Sequence, residues 1–121
     1  MNAIRDKSFL FAVRVVKLNR FLNNNEREFV LSTQLLRSGT SIGANVEEAL
    51  QAQSRRDYLN KMNIALKEAN ESLYWIRLLH AAKLLDDKQK ESLYTDCDEI
   101  IRLLVAIVKT TKANLVNKVE K

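Results

Sequence analysis

Carboxylates are the first residues in this chain that could do chemistry. Glu68 and Glu71 make a Glu-x-x-Glu step, and Glu47 and Glu48 stand side by side upstream. A carboxylate-bridged di-metal centre in a helical bundle needs Glu-x-x-His on two helices plus two further glutamates, all pointing inward. The single histidine is His80, and the residue three before it is Arg77, so that arrangement is excluded. Carboxylates alone offer an unspecific site for a hard cation. Pairing with arginines such as Arg37, across a helix or subunit boundary, is the preferred reading. Nucleophilic catalysis fares no better. Ser38 and Ser41 have no histidine near them in sequence, and His80 sits beside an apolar stripe near a helix end, where a hydrogen-bonded structural role is usual. Cys97 lies on an apolar stripe and reads as a buried, inert thiol. No Gly-x-Gly-x-x-Gly or phosphate-binding loop occurs. The expectation is a protein without catalytic residues, metal or cofactor.

A second polar pattern points to binding rather than catalysis. Arg56, Asn60, Asn63, Lys67, Asn70 and Tyr74 recur at helical spacing and make one face. Cations there can neutralise phosphates, amides can donate and accept hydrogen bonds, and an exposed tyrosine can stack on an unpaired base. Lys7, Arg14, Lys17 and Arg20 form a similar group near the start of the chain, and Arg55 and Lys61 extend the later one. The candidate nucleic-acid-binding residues are therefore Arg14, Lys17, Arg20, Arg55, Arg56, Lys61 and Lys67. A merely solvated helix face is the alternative reading of the same pattern.

These residues lie on four predicted helices. The first runs from about Ala3 to Leu22, and Asn23-Asn24-Asn25 makes the break. Asn25 with Glu28 resembles a capping box opening the second helix, which continues to about Gln51. Ser54 with Asp57 opens the third, toward Lys83, and Asp86 with Gln89 opens the fourth, to about Val119. The predicted core stripes are Ile4, Phe11, Val15, Leu18 and Leu22; Leu31, Leu35, Gly39, Ile42, Val46 and Leu50; and Tyr58, Met62, Ala65 or Leu66, Ala69, Leu73 and Ile76. The last is Leu93, Cys97, Ile100, Leu104, Ile107 or Val108, Thr111 and Leu115. The fourth helix would be roughly 45–50 Å long, with a lysine-rich end that overhangs the rest. The fold expected is all-α, an antiparallel up-down four-helix bundle forming one domain over residues 1–121.

Two helices carry more apolar surface than one bundle face requires. Phe9, Ala12, Val13 and Val16 make a second seam on the first helix. Ile64, Glu68, Glu71, Trp75, Leu78 and Ala82 make one on the third. Surplus seams imply self-association, with Phe9, Val13, Val16, Ile64, Trp75 and Leu78 as interface residues. Both glycines of the chain, Gly39 and Gly43, fall inside the second helix, and there is no proline. Each interior glycine costs a helix about 1 kcal/mol relative to alanine, so close approach of another helix or subunit is the expected compensation.

Composition sets the outer bounds. With 121 residues, 46% hydrophobic and 29% charged, the chain can bury one core without metal or disulfide. So few glycines and prolines argue against an all-β fold. The lone cysteine cannot form an internal disulfide, and the Phe9–Val16 apolar run is broken by Arg14 and reads as neither signal peptide nor membrane span. The expected compartment is cytoplasmic, with no membrane association. A net charge of +5 favours an anionic partner such as RNA or DNA.

One segment also carries a resemblance. Arg37-Ser38-Gly39-Thr40-Ser41-Ile42-Gly43-Ala44-Asn45-Val46-Glu47-Glu48-Ala49, followed by Ala65-Leu66-Lys67-Glu68-Ala69-Asn70-Glu71 and Trp75, resembles the family of small bacterial proteins encoded in intervening sequences of 23S ribosomal RNA genes. Its members are often labelled ribosomal-protein-like. The family pattern is an arginine, then Ser-Ile, then Asn-Ile-x-Glu-Gly. Arg37, Ser41, Ile42, Asn45, Val46 and Glu48 match it, whereas Ala49 stands where glycine is common, which implies that the second helix continues. The proline often found before that helix is absent. The likeness spans about residues 8–105. The resemblance implies an up-down four-helix bundle. The chain is also similar to the accessory protein of diversity-generating retroelements, which implies a basic homopentamer that binds nucleic acid and a reverse transcriptase. Arg37, Gly39, Ser41, Ile42, Gly43, Asn45 and Glu48 then read as structural: small residues for close packing, with Arg37, Asn45 and Glu48 as polar pairs within or between subunits.

Overall fold

The computed structural model describes residues 2–120, with side chains through residue 117. Four helices follow one another: α1 (Ala3–Asn25), α2 (Val30–Leu50), α3 (Arg55–Ala81) and α4 (Asp87–Glu120). Each packs on its neighbour in the chain, and α4 closes back on α1 over a lighter contact, while the diagonal pairs stay apart. Short connections force neighbouring helices antiparallel, so the result is the all-α up-down four-helix bundle that the periodicity predicts.

Local signals account for most of the helix ends. The Asn2 side chain accepts from the Arg5 N–H at 3.0 Å to open α1, and Ser54 accepts from the Asp57 N–H at 3.0 Å to open α3. At α4 the cap is reciprocal: the Asp86 carboxylate takes the Gln89 N–H at 2.7 Å, and the Gln89 side-chain oxygen takes the Asp86 N–H at 2.9 Å. The α1–α2 junction departs from expectation. Helix α1 runs through the three asparagines to Asn25, and no Asn25–Glu28 box forms. Phe29 precedes α2 without a side-chain cap, and the Glu28 carboxylate instead accepts the Ser32 N–H at 2.9 Å. The chain reverses at Arg27, whose φ of 52° is left-handed.

Helix α3 likewise stops at Ala81 rather than reaching Lys83. Lys83 adopts a left-handed φ of 65°, so the Leu84 N–H bonds to the Leu79 carbonyl at 2.9 Å and the Lys83 N–H to the His80 carbonyl at 3.0 Å. This is the helix-ending geometry for which glycine is the usual choice. Neither glycine has a positive φ; both lie inside α2.

The core follows the predicted stripes with local exchanges. Ile4, Phe11, Val15, Leu18 and Leu22 are buried on α1, and Leu93, Cys97, Ile100, Leu104, Val108 and Thr111 on α4. On α2 the stripe turns inward through Ala49, leaving Leu50 exposed and Leu31 half-buried. On α3, Ser72 takes the place expected of Leu73. The reason is close approach: the Ser72 hydroxyl donates to the Ser38 hydroxyl at 2.9 Å, a buried contact for which leucine is too large. Gly39 works in the same way between α1 and α2. A Cβ built on it would lie 2.8 Å from a Val15 methyl, whereas one on Gly43 would lie 3.4 Å from the Ser8 carbonyl oxygen. The close partner is thus α1 of the same chain. At 34 residues α4 is the longest helix, about 51 Å, and outreaches the 21-residue α2.

Candidate nucleic-acid interface

The glutamates of α3 are held by arginine. Arg37 on α2 donates to Glu68 at 3.1 Å through one guanidinium nitrogen and bonds Glu71 through the other. The Trp75 indole N–H donates to Glu71 at 3.0 Å, and the Tyr74 ring stands edge-on to Trp75 with centroids 5.1 Å apart. One arginine therefore ties α2 to α3 and fixes an aromatic pair beside it. Glu48 pairs with Lys61 at 3.6 Å across the same two helices. Asn45 stays local, donating to the Ser41 carbonyl at 2.8 Å, and the Ser41 hydroxyl donates to the Arg37 carbonyl at 2.7 Å. Ile42 is fully buried. No group of three potential metal-ligating side chains occurs among the described residues.

Two further groups have plain local partners. His80 Nε2 lies 2.7 Å from an Asp87 carboxylate oxygen, and the hydrogen bond to His80 holds the Asp87 pKa below its usual value. The Cys97 thiol donates to the Ala69 carbonyl at 3.4 Å, and burial pushes its pKa up to about 12, far from the thiolate that reactivity requires.

The seven candidate cations divide. Arg14 does not stand free: it binds the Asp96 carboxylate at 2.5 Å and the Ser92 carbonyl and hydroxyl at 3.3 and 3.0 Å, clamping α1 to α4. Lys7 joins Glu99 at 2.5 Å along the same seam, and this hydrogen bond raises its pKa. These ion pairs bridge the lightest helix contact of the bundle. Lys61 is engaged by Glu48. Lys17, Arg20, Arg55, Arg56 and Lys67 are exposed and make no ion pair among the described residues. They do not form one patch on the chain. Lys17 and Arg20 lie on α1 and the others on α3, and these helices are diagonal. Arg55 additionally borders a cleft of about 710 Å³ between the α2–α3 turn and α4.

The candidate interface residues divide too. On α1, Phe9 is 66% exposed, Val13 37% and Val16 38%, joined by Leu10 at 62%. Ile64, Trp75 and Leu78 on α3 are half-buried, and Trp75 is tied through Glu71 to Arg37. The α1 strip is the more exposed of the two seams. Sequence reasoning missed Arg77, Lys90 and Tyr94, which surround a notch beside Tyr74. Their only signal was the i, i+4 spacing of Lys90 and Tyr94, which sets the ammonium 4.5 Å over the ring.

Residues 2–106 match the family described as 23S rRNA-intervening sequence protein. The chain belongs to that family. Among solved structures it is similar to a protein of unknown function from the S23 ribosomal protein family, from Bacteroides thetaiotaomicron VPI-5482. The two are 57% identical with a TM-score of 0.87, over 88% of this chain and 98% of that one. No curated protein matches. Membership of the intervening-sequence family covers α1 to α3 and α4 as far as Ala106, short of the buried Val108 and Thr111. No described helix is long and apolar enough to cross a membrane.

Proposed function

We propose that this protein is a non-catalytic, homo-oligomeric nucleic-acid-binding adaptor that acts in the cytoplasm, and that it assembles as a pentamer. The observation that carries the reading is on α1, where the uncovered Phe9, Leu10, Val13 and Val16 adjoin the unpaired Lys17 and Arg20. An exposed apolar strip of this kind on a small bundle argues for a partner surface. The second, half-covered seam lies on α3, diagonal to α1. Two different patches on opposite flanks favour a head-to-tail ring over a two-fold dimer. Such a ring would set α1 of one subunit near α3 of the next, placing Lys17 and Arg20 beside Arg55, Arg56 and Lys67. Repetition then turns weak phosphate contacts into avidity. RNA or DNA is the proposed ligand class. A reverse transcriptase encoded nearby is a further proposed partner, supported by the resemblance to retroelement accessory proteins. A protein-interaction scaffold is the second reading, favoured by the ion pairs that withdraw Arg14 and Lys61 from the free positive charge.

Titration with assorted RNA and DNA at low salt tests the first reading. Binding should be weakly sequence-specific and fall steeply with salt, because phosphate neutralisation supplies most of its free energy. Changing Lys17, Arg56 and Lys67 together to glutamine should weaken it while leaving helicity and mass intact. No detectable binding at about 100 μM protein, where non-specific binders register, would favour the scaffold.

A further inference from the structure

Resting on the nucleic-acid reading, we infer that the notch between the end of α3 and the start of α4 is a pocket for one unpaired nucleobase and its phosphate. The notch encloses about 410 Å³ and is lined by Tyr74, Arg77, Leu78, His80 and Ala81 of α3 with Lys90 and Tyr94 of α4. A base presents two π-faces and carries an anionic linker, so a site for it needs an aromatic platform with cations at its edge. Tyr74 supplies the platform. It is 53% exposed, yet its ring is fixed edge-on against Trp75, itself anchored through Glu71 to Arg37. An exposed ring held in place stacks without first being ordered, which lowers the cost of binding.

Arg77 and Lys90 flank the platform from different helices, and neither makes an ion pair among the described residues. Lys90 lies over Tyr94, which leaves Tyr74 as the ring free to stack. His80 is bound to Asp87, so the two cations rather than the imidazole face the phosphate. Tyr74, Arg77 and Ala81 are exposed on one face over two turns, and the half-buried Leu78 between them is an apolar wall. Duplexes keep their bases stacked and paired, so the notch selects single strands.

Fluorescence of Trp75, the only tryptophan, reads the site directly during titration with oligonucleotides of about ten residues. Single-stranded RNA, single-stranded DNA and the corresponding duplexes form the arms, and the two single-strand arms separate the ligand sources. Tyr74→Ala should weaken single-strand binding about tenfold, Tyr74→Phe should restore it, and duplex binding should change little. Arg77→Gln with Lys90→Gln should weaken it further. Single-strand affinity unchanged by Tyr74→Ala, while wild-type protein still binds nucleic acid, overturns the notch and spares the adaptor reading. Absence of binding to every oligonucleotide overturns both. Equal losses for single strands and duplexes also overturn the notch, because a base pocket cannot serve a closed helix.

Discussion

Gly39 and Gly43 look equivalent in the sequence, four residues apart in one helix, but they do different work. A Cβ on Gly39 meets a buried Val15 methyl at 2.8 Å, and valine is stiff about χ1, so α1 must move. Gly39→Ala should therefore lose stability in urea denaturation by about 1–2 kcal/mol, since overpacking outweighs the gain in helix propensity. At Gly43 the nearest atom is 3.4 Å away, an ordinary contact. Gly43→Ala should gain about 0.5–1 kcal/mol, the usual propensity difference. A gain at both positions would mean that α1 is not held close to α2. Arg14 makes a second contrast at this scale. Its partners are Asp96 and Ser92, so Arg14→Gln should lower stability by about 1 kcal/mol or less and leave nucleic-acid affinity nearly unchanged. A salt-sensitive loss of binding without loss of stability would return it to the set of free cations.

Among the elements, the helices themselves were legible and their junctions only partly so. The α1 and α4 stripes fall where apolar spacing puts them, because a 3.6-residue period needs no knowledge of the partner. The caps at Ser54 and Asp86 were equally readable, since each bonds within three residues. What escaped depends on distant residues or on rare backbone. Ser72 is buried more deeply than Leu73, and its hydroxyl meets Ser38 on the facing helix. Arg27 and Lys83 sit in left-handed turns that nothing in their residue types announces. The notch was hidden because Tyr74 and Tyr94 are brought together only by the α3–α4 reversal. Lys83→Gly should raise stability by about 1 kcal/mol, because a side chain in that conformation costs energy that glycine avoids. Thermal unfolding of the single variant checks this, and a lowered midpoint would show that the lysine side chain itself stabilises the turn.

Across the whole molecule, the described buried polar side chains are satisfied while several apolar side chains stay exposed. Among the described residues no buried side-chain nitrogen or oxygen lacks a hydrogen bond. The strip at Phe9, Leu10, Val13 and Val16 groups four exposed apolar side chains on one helix, beside Lys17 and Arg20. In the proposed ring this strip is covered by another copy of the chain, and the α1 and α3 cations would then lie side by side. Phe9→Glu would set an unpaired charge in the proposed contact without touching the core, and should dissociate the assembly while leaving helicity intact.

Light scattering on the wild-type protein and Phe9→Glu, at micromolar concentration, tests this most directly. A pentamer gives a wild-type mass about five times the 14.0 kDa of the chain, and the variant should remain helical but fall to the mass of one chain. A wild-type mass of 14.0 kDa would contradict it.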